Sequence, residues 1–152
     1  MSVGQFCNRD TVIARKEESI VEAAKLMREF HVGSVIVVED ASHAPKPIGI
    51  VTDRDLVVEI LAVELDPGVV TVGDIMSYDL VTAHEQDGLW DTLQRMRTKG
   101  IRRVTVIDAE GSLVGILSSD DLLEVLTGEL SELVKIINKE QEREQQVRGG
   151  LG

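Results

Sequence analysis

Short aliphatic runs alternate with amphipathic helical patterns along most of this chain. Apolar residues recur at three- and four-residue intervals in the segment that starts at Ile20, which indicates a helix with one buried face. A short strand pattern precedes this helix at residues 11–14, and two more follow it at residues 35–38 and 48–52. A second helix is predicted to begin at Asp53. The order is therefore β-α-β-β-α, which is typical of a mixed α/β unit.

The second half of the chain repeats this order. Residues 49–56 and residues 115–122 both read Gly-Ile-aliphatic-(Thr/Ser)-x-x-Asp-Leu, 66 residues apart. A unit this small cannot bury its apolar face alone, so the duplication predicts two packed units related by a pseudo-twofold axis, with a binding site between them. The other equivalent elements are strands at residues 80–83, 104–107 and 113–118, with helices near Leu89 and from Ser119.

We place the first unit at residues 3–65, the second at residues 72–128 and a C-terminal helical tail at residues 129–152. Ser131 is the expected cap of the tail helix. An apolar stripe that includes Leu130 and Ile137 predicts that its first two turns are docked, and a coiled-coil partner helix is the alternative.

Composition narrows the class of protein. Hydrophobic residues make up 43% of the 152 residues but aromatic residues only 3%, so the core must be aliphatic, although Trp90 is expected to contribute to it. No apolar run approaches the roughly 20 residues of a membrane span, and no secretory signal pattern is visible. The single cysteine, Cys7, excludes an internal disulfide and is expected to pack as a small hydrophobe. These features favour a cytoplasmic protein.

Charge and side-chain chemistry exclude further classes. Twenty-seven acidic against 16 basic residues give a net charge of −11, which disfavours binding to nucleic acid or to an anionic membrane. His31, His43 and His84 share no metal-ligand spacing, so no metal site is expected. No nucleophile with a partnered base is visible, and we expect no enzymatic activity.

The repeated hydroxyl and carboxylate pair, Thr52 with Asp55 and Ser118 with Asp121, has two interpretations. A hydroxyl followed three residues later by an acid forms a capping box that closes a helix N-terminus without any ligand. The same geometry also suits a nucleotide, because the hydroxyl can donate to phosphate and the aspartate can accept from two ribose hydroxyls. Both interpretations remain open at this point.

The doubled motif, the shared element order and the Gly-Ile-Arg-Arg-Val sequence at residues 100–104 resemble a tandem pair of CBS domains, named after cystathionine β-synthase. This resemblance implies a regulatory module without a covalent cofactor. Such a module binds an adenosine-containing ligand between its halves: AMP, ADP or ATP, with S-adenosylmethionine and NAD(H) as alternatives. It also implies a homodimer that signals to an effector protein not yet identified. A ligand-free dimerisation or scaffold module is the competing hypothesis.

The family pattern implies two unequal sites. The first combines Thr52, Asp55, Leu80, Val81, Ile101, Arg102 and Arg103. The second combines Ser118, Asp121, Thr11, Val12, Val32 and Ser34, with Arg54 as the nearest cation.

Three departures from the family pattern bear on phosphate binding. Arg102 and Arg103 have no counterpart in the first repeat, because the matching segment, residues 31–34, contains no arginine. The first site is therefore the expected phosphate site. Thr105 and Ile36 stand where the family usually has proline, and Asp120 would repel a phosphate.

Overall fold

The computed structural model describes residues 1–40 and 42–150, and it contains two compact units, residues 1–118 and 119–152. Residues 151–152 of the predicted tail lie outside the described residues. No helix in the described part of the chain has the length and apolar character needed to cross a bilayer. The predicted mixed α/β class is confirmed.

The element order matches the predicted duplication. In the first repeat the elements are α1 (Val3–Phe6), β1 (Ile13–Arg15), α2 (Ile20–Phe30), β2 (Ser34–Val38), β3 (Pro47–Thr52) and α3 (Asp53–Leu56), which continues as a π-helical segment, Val57–Leu61. In the second they are α4 (Val72–Ile75), β4 (Thr82–His84), α5 (Leu89–Lys99), β5 (Arg103–Ile107), β6 (Leu113–Ser118) and α6 (Ser119–Gly149).

Each repeat forms a three-stranded sheet with the same topology, β1-β2-β3 and β4-β5-β6. The first pair of strands in each sheet is parallel and the second pair is antiparallel. In this register Ser34 lies opposite Thr52, and Arg103 lies opposite Ser118. In each repeat the hydroxyl residue of the motif, Thr52 or Ser118, therefore lies at the same end of the sheet as the first residue of β2 or β5.

Strands β1 and β4 begin two residues later than predicted. The hydrogen-bonding pattern nevertheless reaches further back, because Ile36 N donates to Val12 O at 2.9 Å and Thr105 N donates to Val81 O at 3.3 Å. Val12 and Val81 thus remain alongside the central strands although they lie outside the strand assignments.

Three smaller predictions are wrong. Leu130 and Ile137, expected to be docked in the first turns of the tail, are 63% and 55% exposed. The helix that starts at Ser119 runs without interruption to Gly149, so Ser131 is not a cap. Gly128 does not end this helix, because a single glycine costs only about 1 kcal/mol when good helix formers surround it. Trp90 is 52% exposed, because α5 buries the face that carries Leu89, Thr92 and Met96 and Trp90 points away from it.

Helices α2 and α5 each pack their apolar face on the sheet of their own repeat, as the periodicity predicted. The core of the first repeat contains Ala14, Ile20, Ala23, Met27, Val35, Val37, Val51, Ile60, Val72 and Met76. Val72 and Met76 come from the second repeat, so the first core is completed by the α4 segment of its neighbour. In the second repeat the corresponding buried residues are Ala83, Leu89, Met96, Val104, Val106 and Leu117.

The two repeats exchange their N-terminal helices. Helix α1 lies on the second repeat, where Val3 N donates to Asp87 O at 2.9 Å and Gly4 N donates to Glu85 O at 2.8 Å. Helix α4 lies on the first repeat through the equivalent bonds, from Val72 N to Glu18 O at 2.8 Å and from Gly73 N to Lys16 O at 3.0 Å. This exchange supports the predicted pseudo-twofold arrangement and fixes the two sheets relative to one another.

Each exchanged segment crosses a glycine of the opposite sheet at close range. A Cβ on Gly115 would stand 2.5 Å from the backbone oxygen of Asn8, whose amide also bonds to Ile116. A Cβ on Gly49 would stand 2.6 Å from the Sδ atom of Met76, the end of a flexible side chain. The first contact is rigid and the second can yield.

We therefore expect Gly115→Ala to lower the free energy of unfolding more than Gly49→Ala does. The first substitution must move backbone, and overpacking of this kind costs about 1–3 kcal/mol. The second is relieved mainly by a rotamer change in Met76, which moves Cγ and Sδ and leaves its Cβ at 3.0 Å. Urea denaturation followed by circular dichroism measures both, and equal losses would contradict the inferred rigidity of the α1 contact.

Candidate functional site

The Thr52 and Asp55 pair forms the capping box. Asp55 N donates to Thr52 Oγ1 at 3.2 Å, and Thr52 N donates to Asp55 Oδ2 at 2.8 Å. Both residues are half-buried at the start of α3. The second carboxylate oxygen, Oδ1, accepts no hydrogen bond from the described residues. The capping interpretation is therefore correct for the local geometry, and one oxygen stays available for another donor.

Arg103 of the second repeat reaches the start of α3 in the first repeat. Its Nη2 atom lies 3.1 Å from the point where a Cβ of Gly33 would stand, and Asp53 Oδ2 lies 3.3 Å from the same point. Asp53 N in turn donates to Gly33 O at 3.0 Å. Because Gly33 has no side chain, the guanidinium occupies space beside the residue that follows Thr52. We call Thr52, Asp55 and Arg103 the Arg103 site.

The other residues predicted for this site belong to the second repeat. Leu80, Val81 and Ile101 are half-buried, and Arg102 is exposed. The bond from Thr105 N to Val81 O holds the segment before β4 against β5. The structure thus brings Arg103 beside Gly33 and Asp53, the residue that follows Thr52, and places Val81 beside the strand that carries Arg103.

Thr105 is an unusual residue on this strand. Its side chain is 1% exposed, and Oγ1 has no hydrogen-bond partner in the described part of the chain. Side chains alternate along a strand, so Thr105 shares a face with Arg103 rather than with the core residues Val104 and Val106. The equivalent residue in the first repeat is the apolar Ile36.

A second cleft, with a volume of about 690 Å³, lies on the first repeat. Three predicted residues line it: Thr11, Val12 and Val32. We call it the Phe30 cleft, and its full lining is Asn8, Asp10, Thr11, Val12, Ile13, Leu26, Phe30 and Val32.

Sequence reasoning missed the aromatic wall of the Phe30 cleft. Phe30 is the last residue of α2 and is 54% exposed, an unusual position for one of only two phenylalanines in the chain. The sequence could have indicated this wall, because Phe30 lies four residues after Leu26 and therefore on the same face of α2. Neither Ser34 nor Arg54 is among the lining residues.

The remaining two residues of the second predicted site are Ser118 and Asp121. Ser118 ends β6, and Asp121 lies in the first turn of α6 within the second compact unit. Their role in ligand binding stays a prediction.

The Phe30 cleft is poor in positive charge. Asp10 is its one ionisable lining residue among the described residues. The neighbouring Arg9 is engaged elsewhere, because its Nη2 donates to Gly4 O at 3.1 Å and lies 3.6 Å from Glu85 Oε2. A phosphate in this cleft would meet a carboxylate and no cation of the lining.

Other features of the described residues add no competing site. A groove of about 540 Å³ beside α4 includes none of the predicted site residues. In residues 1–40 and 42–150, no cluster of three His, Cys, Asp or Glu side chains is arranged to hold a metal ion. Burial raises the pKa of the Cys7 thiol, and the opposing effect of nearby Arg9 is smaller. A thiol of this kind is a poor nucleophile at neutral pH.

Comparison with known proteins agrees with the architecture. The family model for the CBS domain matches residues 3–62 and 72–128. The chain therefore belongs to the CBS domain family and carries a pair of such domains, as the resemblance predicted. An uncharacterized protein of Methanopyrus kandleri is 38% identical over 82% of this chain, which spans 62% of that relative's length. A CBS domain-containing protein of Bacillus subtilis is 36% identical over 69% of this chain and 71% of its own.

Two similar solved structures contain ligands. A CBS domain protein of Pyrobaculum aerophilum complexed with AMP has a TM-score of 0.72 and 25% identity, covering 84% of this chain and 99% of its own. A CBS domain pair complexed with 5′-methylthioadenosine and S-adenosylmethionine also has a TM-score of 0.72, with 28% identity, covering 85% and 98%.

Because the pKa of Cys7 is raised, we expect its reaction with a disulfide reagent at neutral pH to be slower in the folded protein than in urea. Less thiolate is present at a given pH when the pKa is higher, so the folded-state rate should keep rising at pH values where the unfolded chain has reached its plateau. Absorbance of the released thiolate measures both rates. A folded-state plateau at lower pH than in urea would contradict the effect of burial.

Proposed function

We propose that this CBS pair is a regulatory module that binds an adenine nucleotide (AMP, ADP or ATP) at the Arg103 site and signals its presence to a partner protein. The observation that carries the proposal is the position of the Arg103 guanidinium, from one repeat, beside the residue that follows Thr52 in the other. A site built from both repeats responds to any change in how the repeats pack.

The three residues of the Arg103 site have complementary roles for a nucleotide. Asp55 Oδ1 is available to accept from ribose hydroxyls while Oδ2 maintains the cap on Thr52. The fork-shaped guanidinium of Arg103 suits a phosphate, which it can bind with two parallel hydrogen bonds. Neither role requires the helix α3 to unfold.

Asp53 tunes this site. Its carboxylate lies near Arg103 and competes with a phosphate for the guanidinium. This competition favours ligands with few charges, because each further phosphate group adds repulsion from the same carboxylate. We therefore rank AMP ahead of ADP and ATP. The AMP complex of the Pyrobaculum aerophilum protein supports this choice, and the complex with S-adenosylmethionine keeps that ligand, like NAD(H), as an alternative.

We further propose a cytoplasmic homodimer that reports the energy state of the cell. Exposed apolar residues along the π-helical segment and the linker after it support self-association, since patches of this kind mark interaction surfaces. They are Val57, Val58, Leu61, Val63, Leu65 and Val69. We assign no catalytic step to the protein.

A ligand-free scaffold is the second candidate. The observation in its favour is that the polar groups at the Arg103 site already have neighbours within the protein: Asp55 caps Thr52, and Arg103 lies near Asp53. The two functions differ in one measurable property, which is stabilisation by added nucleotide.

We expect AMP at a hundredfold excess over its Kd to raise the melting temperature by several degrees, since such an excess adds about 2.7 kcal/mol. Asp55→Asn should lose most of this shift, because the neutral amide is a poorer acceptor for ribose hydroxyls but can still cap Thr52. Differential scanning fluorimetry measures the shift. Asp74→Asn is the matched control, because Asp74 caps Thr71 in α4 through the same bond, at 2.9 Å. Equal shifts in both variants would reject the role of Asp55, and the absence of any shift in the wild type would favour the scaffold.

Arg103→Gln should weaken AMP binding about tenfold or more while leaving adenosine binding unchanged. A hydrogen bond between charged groups contributes about 1.5–3 kcal/mol, and only AMP has the phosphate that forms it. Isothermal titration calorimetry with both compounds separates the two effects. Arg143→Gln, which changes the net charge equally at an exposed position of α6, serves as the control. If adenosine and AMP lose affinity together, Arg103 acts on the fold and not on the phosphate.

A further inference from the structure

The two repeats have the same backbone conformation from their long helix to the strand that follows it. Helices α2 and α5 have the same length, 11 residues, and both end at a residue with left-handed backbone, His31 at φ 53° and Gly100 at φ 66°. The strands that follow them begin three residues later and pair in the same register. The alignment of the two repeats is therefore fixed by backbone conformation as well as by sequence.

At four equivalent positions the second repeat carries more positively charged and polar side chains than the first. Leu26 and Phe30 on α2 correspond to Arg95 and Lys99 on α5. In the strands, Ser34 corresponds to Arg103, and Ile36 to Thr105. The first repeat has apolar or uncharged residues at all four positions, whereas the second has three cations and a hydroxyl.

We propose that the two clefts divide adenosine ligands by charge: the Phe30 cleft binds an adenosine compound without phosphate, and the Arg103 site binds a phosphorylated one. This inference rests on the proposed function, because it assumes that the pair binds adenosine compounds. It adds which chemical class each cleft accepts and which residues decide the choice.

The Phe30 cleft has the lining that a neutral nucleoside needs. An exposed phenyl ring offers a stacking surface for adenine, and a base gains affinity by stacking on an aromatic ring. Val12, Leu26 and Val32 add apolar surface for a substituent such as a methylthio group. A phosphate in the same place would face Asp10 and would lose its hydration without gaining a cation.

The second repeat offers the opposite environment. Arg103 lies at the start of β5, with its guanidinium beside Gly33 of the first repeat. Arg95 and Lys99 line a separate groove on α5, and Arg95 Nη2 lies 3.1 Å from Asp87 Oδ2. Arg103 is therefore the cation that selects a phosphate on this side.

Exchanging residues at equivalent positions tests the proposal. We expect wild-type protein to bind both AMP and 5′-methylthioadenosine in calorimetric titrations, each at one site per chain, with neither displacing the other. Phe30→Lys should reduce affinity for 5′-methylthioadenosine at least tenfold and leave AMP affinity at the Arg103 site unchanged. Arg103→Ser, which introduces the residue found at the equivalent position 34, should weaken AMP binding and spare 5′-methylthioadenosine. Phe30 is exposed and Arg103 is half-buried, so the fold should tolerate the changes.

Two further variants keep the test decisive if an exchange variant is unstable. Phe30→Leu keeps the apolar wall but removes the ring, and it should weaken 5′-methylthioadenosine without any change for AMP. Asp10→Asn removes the repelling carboxylate at an exposed position and should allow weak binding of a second AMP.

The outcomes separate this inference from the function on which it rests. If AMP and 5′-methylthioadenosine compete for one site, or if Phe30→Lys leaves both affinities unchanged, the division by charge is wrong and nucleotide binding stands. If neither compound binds to the wild-type protein, the proposed function fails and this inference fails with it.

Discussion

The exchange of N-terminal helices between the repeats is the constraint on which the rest of the structure depends. Helix α4 and the residue after it supply Val72 and Met76 to the core of the first repeat, and the segment after α1 crosses Gly115 in the second so closely, at Asn8, that a methyl group has no room. Neither sheet has a complete core without its neighbour, so the repeats fold as a pair. Only because the pair is fixed in this way does Arg103 arrive beside Gly33, and the Arg103 site is a consequence of the packing rather than of either repeat alone.

Most of the fold followed from the duplicated pattern, because a helix or strand that appears twice in the same order is supported by two independent segments. The errors came where a single copy had to be interpreted. Ser131 looked like a cap, but favourable helix propensity on both sides of Gly128 outweighs one local signal. Trp90 was expected to pack in the core at the position of α5 that matches Val21 in α2, but both residues lie outside the buried faces of their helices. The wall formed by Leu26 and Phe30 escaped notice since apolar residues at the end of a helix usually indicate packing, and only coordinates show that they border an open cleft.

Capping and ligand binding are compatible uses of Asp55. One oxygen stabilises the first turn of α3 and the other remains available, so the empty protein keeps an ordered site instead of paying an ordering cost when a ligand arrives. The nearby carboxylate of Asp53 lowers the affinity for a phosphate, because it reduces the attraction of Arg103 for that group. In the proposed function both properties are useful, because an ordered site gives selectivity and a moderated affinity lets the ligand leave when its concentration falls.

The missing side chain at position 33 has a consequence for how such a duplicated chain can diverge. Its counterpart in the other half is Arg102, so copying the second half onto the first would place an arginine at position 33. The point where that extra arginine would start is 3.1 Å from the guanidinium of Arg103 and 3.3 Å from the carboxylate of Asp53. An arginine at position 33 would therefore push aside the guanidinium of Arg103 or the carboxylate of Asp53, so the glycine in one half leaves the room that the arginine of the other half uses.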